Sequence, residues 1–275
     1  MRSAIVLAQS GMGVLVVGYA LFRFLISRSI SRVSSVDERR MLGAGLRAFS
    51  WPSSRAGLSL GGLGWLFTAT FLSLMAARAA AGAPSVGETQ ALALAGVLLG
   101  AHAALVANPG PRRSAVFGIT AVVASTWSIA ARPLGEVYSW ILVLHVGVTL
   151  LWLGHMFFWS VFAGPGLKRL EDRDLGARLR RLSLSGPGLG WPALGVLVPS
   201  GVYMLAARGV GFGDLFSPAF LAHRFGWALD VKLALVVVML GYQVVFGHRE
   251  APRAVLVNMG VAVLVLALAT LLTGV

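Results

Sequence analysis

Two histidines stand inside a stretch apolar enough to cross a bilayer, YSWILVLHVGVTLLWLGHMFFW at 138–159, at positions 145 and 155. Ionisable groups at membrane depth are rare, face a bundle interior or a cavity, and mark functional sites. His102, Asp230 and Lys232 belong to the same class, each set in an apolar run. Imidazole nitrogen suits heme iron, copper and zinc, and nothing in this set suits the oxygen-seeking cations. A histidine in a span also has a plainer use, as a hydrogen-bond partner for a neighbouring helix.

Helical geometry sorts these residues. Thr149, Trp152 and Met156 follow His145 at +4, +7 and +11 and share its face, whereas His155 at +10 is turned away by about 80° and lies ~15 Å further along the axis. His145 and His155 therefore do not share one ion, and mark either two sites at different depths or one site and one structural histidine. Lys232 lies about as far below the start of its run as His145 does below its own, so the two are co-level if their helices are neighbours. His102, in LLGAHAALVANPG, is flanked by Gly100, Ala101, Ala103 and Ala104, small residues that let a helix or a flat cofactor approach closely.

A b-type heme needs histidine in an apolar bundle, small residues along the porphyrin and cations for its propionates. His145, Gly147, Gly154 and the Arg and Lys residues near one end meet that description. Copper conduction would draw on soft thioether ligands. Of the eight methionines only Met156 adjoins a histidine, and no MxM or MxxxM pattern occurs, so His145, His155, Met156 and His102 are the candidate copper ligands. Asp230, Lys232 and the histidines could also relay protons. No P-loop or hydrolase signature is present.

The elements that must hold these residues follow from composition. The 275 residues are 57% hydrophobic and 12% charged, with a mean hydropathy of +0.81, against about 25% charged in a soluble domain. The expected fold is all-α, a polytopic membrane helix bundle. At roughly 20 apolar residues per crossing, eight transmembrane helices are expected, near 4–27, 57–82, 90–107, 113–131, 138–163, 190–207, 226–247 and 254–273. The first run is longer than a signal-peptide core and reads as a retained helix. The formal net charge of +13 points to orientation rather than nucleic acid. The loops near 28–56, 108–112, 164–189 and 248–253, with Arg113 at their boundary, hold 16 of the 23 Lys and Arg. The positive-inside rule then puts both termini outside, periplasmic or extracellular, and the basic loops in the cytoplasm; the expected location is a bacterial inner membrane. The chain has no cysteine, which excludes disulfides and thiolate metal sites. The connector GPGLKRLEDRDLGARLRRLSLSGPG carries Leu170, Leu175, Leu179 and Leu182 on one side of an amphipathic helix, and 28–56 has room for another.

The segments LHVGVTLLWLGHMFFWSVFAGPGLKRL, LVPSGVYMLAARG and GWALDVKLALVVVMLGYQVVFGHRE resemble the four-helix module of the copper resistance protein D (CopD) family. His145, Trp152, Gly154, Ser200, Gly201, Tyr203, Lys232, Leu233 and Val236 stand at its pattern positions. The same segments are similar to the HemJ-type protoporphyrinogen oxidases, small heme-binding membrane proteins, with Lys232 five residues after Trp227 rather than four. The resemblance spans roughly 138–250. It implies an N-terminal four-helix region (1–131) and a C-terminal module (138–275), with His145 and Lys232 as the heme-binding pair. His155 replaces the second glycine of the common Trp-x-Gly-Gly. The expected role is electron transfer through heme b, bound by His145 with Lys232, Trp152, His102 and His155 as further candidates. The expected partners are the lipid bilayer and other membrane subunits or a periplasmic redox or copper protein. Copper resistance and a cofactor-free structural subunit are the alternatives.

Overall fold

The computed structural model describes residues 2–48, 111–130, 137–168, 172–184 and 190–246, together with Phe67, Ala69, Phe71, Leu72, Leu94, 97–101, Gly260, Val261, Leu264 and Leu268. Among the described residues the regular structure is helical throughout. The helices are α1 (Arg2–Ser31), α2 (Val36–Ala48), α3 (Pro111–Ala130), α4 (Val137–Phe158), α5 (Gly164–Lys168), α6 (Arg173–Leu184), α7 (Gly190–Ala206), α8 (Pro218–Leu221) and α9 (Arg224–Phe246). A π-helical turn, Trp159–Ala163, joins α4 to α5. Two stretches, Gly11–Ser31 and Val137–Leu167, are long and apolar enough to cross a membrane, and α7 is a shorter apolar helix. The expected runs at 57–82, 90–107 and 254–273 fall largely outside the described residues.

The backbone of the bundle is the crossing of α1 and α4. A Cβ at Gly18 would run into the Gly154 carbonyl, and one at Gly154 would lie 2.6 Å from the Val14 oxygen and 2.9 Å from the Gly18 nitrogen. Glycine on both helices is what lets two backbones meet, the usual means of packing helices in lipid. The third side is closed by α3, where Gly147 makes room for Val122 and Gly118 for Ala20. Val14, Val17, Phe117 and Leu150 fill the space between them, with Phe67, Phe71 and Leu98 packed against the same cluster. Further along, Tyr19 meets Phe158 edge-on at 5.3 Å, and Phe22, Ile26, Leu167 and Leu179 continue the core.

Both amphipathic helices form. Asp172 Oδ1 accepts from the Leu175 N–H at 2.9 Å and starts α6 as a carboxylate N-cap. The expected connector folds back on the bundle, with Leu179 buried against α1 and Leu175 against Gly45 of α2. Arg178 bonds Glu38 at 2.7 Å across the two helices.

Large apolar side chains also stand exposed in mid-helix, among them Ile119 on α3, Val198 and Val202 on α7, and Val237 and Val238 on α9. A water-facing surface rarely tolerates such patches, and they fit a hydrocarbon surround.

Candidate functional site

His145 lies on α4 opposite the α1 crossing, facing α7. Its Nδ1 is 2.9 Å from Ser200 Oγ. The serine has one proton, and its hydroxyl donates to the Val196 carbonyl one turn back at 2.6 Å, so it accepts from the ring. The imidazole is then protonated on Nδ1, where the Leu197 carbonyl also neighbours it, and Nε2 keeps its lone pair. Pro199, inside α7, has no N–H to give the preceding turn, and Ser200 Oγ works on the carbonyls of that same turn. Gly201 borders the imidazole. A Cβ there would sit 3.6 Å from His145 Cε1, so a small residue fits and a larger one would displace the ring. Thr149 Oγ1 donates to the His145 carbonyl at 2.8 Å, bonding back one turn within α4.

Lys232 comes from α9. Its ammonium is near enough to act electrostatically on the His145 ring, and Arg208 acts on Lys232 in turn. Side chains lean toward a helix N-terminus, so Lys232 reaches toward the end of the bundle where α7 stops and α9 begins. There Arg208 Nε donates to Tyr138 Oη at 3.2 Å, and the guanidinium lies over the Phe225 ring at 5.2 Å. Tyr138 precedes His145 by seven residues and Phe225 precedes Lys232 by seven, each pair on one helix face within about 20°. Tyr138 and Phe225 thus lie about 10 Å along their own helices from His145 and Lys232, and Arg208 bridges the two rings. No ion pair joins Lys232 to Asp230 among the described residues.

The remaining candidates separate. Trp152 and Met156 share the His145 face, as expected from spacing, and pack with Ala193, Leu194, Leu197 and Val261 in an apolar contact. His155 lies off that face. Among the described residues its Nδ1 is buried without a hydrogen-bond partner, and it does not join His145. His102 lies outside the described residues. Among the described residues no group of three His, Cys, Asp or Glu side chains comes together to hold a metal ion.

No family model, curated protein or solved structure matches the chain. The geometry alone has to carry the chemistry.

That geometry gives the pattern residues physical jobs. Trp152-Leu153-Gly154 presses an indole on α7 and exposes bare backbone to α1. Ser200-Gly201 supplies a hydrogen-bond acceptor and a gap beside one imidazole. Tyr203, three residues after Ser200, is 41% exposed. Arg208 and Tyr138 were not singled out in the sequence. The i, i+7 spacing of Tyr138 and His145 was the available signal.

Proposed function

We propose that the chain is a multi-pass protein of the bacterial inner membrane, with eight spans and both termini outside. Its α4–α7–α9 site would hold heme b for electron transfer within the membrane, as a subunit of a larger complex. This is the role that the likeness to CopD and HemJ-type modules implies. The observation that carries it is the oriented imidazole. A ligating histidine characteristically donates its other ring N–H to a fixed acceptor, which sets the tautomer and ring direction. His145 Nδ1 does so to Ser200 Oγ, beside a glycine that leaves the ring unobstructed.

The residues present fit the group. His145 Nε2 would be the nitrogen that holds the iron, and Lys232 and Arg208 would supply cations for the propionates. Val148, Trp152, Leu194 and Leu197 make the neighbouring apolar wall. Heme, when bound, supplies one-electron chemistry whose potential depends on axial ligand, hydrogen bonding and burial. The chain's own part is to fix the imidazole, to shield it with Trp152 and to place positive charge at one end. Copper passage would need grouped soft or nitrogen ligands. His145, His155 and Met156 are not grouped, so heme is the better-supported reading.

The test is a dithionite-reduced minus oxidised spectrum of the detergent-purified protein beside His145→Ala. A sharp α-band that is lost in the variant supports the proposal. A featureless spectrum from protein purified with heme supplied during expression overturns it.

A further inference from the structure

The segment between α7 and α9 is ordered by its own hydrogen bonds, yet it holds aromatic rings away from the bundle. Gly209 turns the chain with φ +72°, a conformation that favours glycine. Asp214 Oδ2 accepts from the Gly211 N–H at 2.7 Å, and a 3-10 turn follows over Asp214–Phe216. Ser217 Oγ then accepts from the Phe220 N–H at 3.2 Å and caps α8. Leu215 is buried and locks the turn to Ala228, Leu229 and Leu268.

With Leu215 pinned, its neighbours face outward. Phe212 is 81% and Phe216 71% exposed, and the two rings pair edge-on at 5.8 Å. A free aqueous loop has no reason to hold two phenylalanines in that posture. The exposed apolar side chains also include Val202 and Tyr203 at the end of α7, Leu221 at the end of α8 and Trp227 in the first turn of α9. Exposed Arg208 and His223 stand beside them.

We propose that this segment is a membrane-interface anchor. Phe212 and Phe216 enter the headgroup–acyl boundary of the lipid leaflet at which α7 and α9 end, and Trp227 sits at the same level. The occupant is lipid because the rings are continuous with the apolar helix surfaces below them. Aromatic rings with cations beside them are also the composition of a membrane boundary. The inference rests on the reading of α7 as membrane-embedded and is independent of heme.

The chain has no cysteine, so single thiols can be placed cleanly. Phe212→Cys, with Phe216→Cys as a second variant at the same surface, is labelled with an environment-sensitive fluorophore and reconstituted in phosphatidylcholine vesicles. Val198→Cys on α7, an exposed mid-helix position, is the reference. The vesicles carry nitroxide lipids, labelled either near the headgroup or deep in the acyl chain, and iodide serves as the aqueous quencher. The expected result is blue-shifted emission at 212 and 216 with strongest quenching by the shallow nitroxide, while 198 responds to the deep one. Labels at 212 and 216 quenched only by iodide, with 198 still quenched by the deep nitroxide, would overturn the anchor and leave the membrane reading standing. Iodide quenching at all three positions would overturn both.

Discussion

Gly154→Ala is the sharpest test of how the bundle is held. The added methyl would lie 2.6 Å from the Val14 oxygen and 2.9 Å from the Gly18 nitrogen, where ordinary contact begins at 3.4 Å. Both obstacles are backbone, so no side chain can swing aside. The helices must part by about 0.8 Å at the crossing, and a gap of that size forfeits a quarter to a half of each affected dispersion contact. Overpacking of this kind costs about 1–3 kcal/mol, of which ~0.5–1 is returned because alanine is the better helix former. The expected net loss is about 1–2 kcal/mol. Gly195→Ala on α7 is the internal control, because a Cβ there meets nothing within 4 Å. It should gain about 0.5–1 kcal/mol. Reversible unfolding in mixed detergent micelles, followed by far-ultraviolet circular dichroism, measures both. Opposite signs are expected. If both variants shift the same way by the same amount, α1 and α4 do not meet backbone to backbone.

Three further outcomes are expected. Ser200→Ala removes the acceptor for His145 Nδ1, and loss of such a supporting bond typically weakens ligation about 10–100-fold, read as falling heme occupancy on titration with folding intact. Gly201→Ala should be tolerated at its 3.6 Å contact, whereas Gly201→Leu should displace the imidazole and abolish the α-band. Arg178→Gln breaks the bond to Glu38, but with side chains 51% and 35% exposed the loss should stay within about 0–1 kcal/mol and shrink as salt rises. A larger change in micellar unfolding would mean the pair holds α2 to α6 more firmly than an exposed ion pair can.

Much of this was legible because it depends on one helix at a time. Apolar run length placed α1, α3, α4, α7 and α9 to within a few residues, and the 3.6-residue period put Trp152 on the His145 face and His155 off it. What escaped depends on how helices are rotated against one another. Ser200 is 55 residues from His145, and nothing local says which side of α7 meets α4. Nothing local in α1 says which of its glycines, Gly11, Gly13 or Gly18, meets Gly154, and only packing selects Gly18. Arg208 follows the end of α7 in sequence, and only the fold sets it over Phe225 and against Tyr138.

The π-turn at Trp159–Ala163 leaves α4 and α5 with two registers. A π-turn takes an extra residue to complete one revolution, so every position beyond it is phased about 100° back from where an uninterrupted α-helix would put it. A single inserted residue would produce that phase slip, and a single deletion would erase it. The half of the rod bearing His145 can thus be tuned for its ligand while the half bearing Leu167 is tuned for α1 and α6. One continuous helix serves two masters because its thread changes pitch midway.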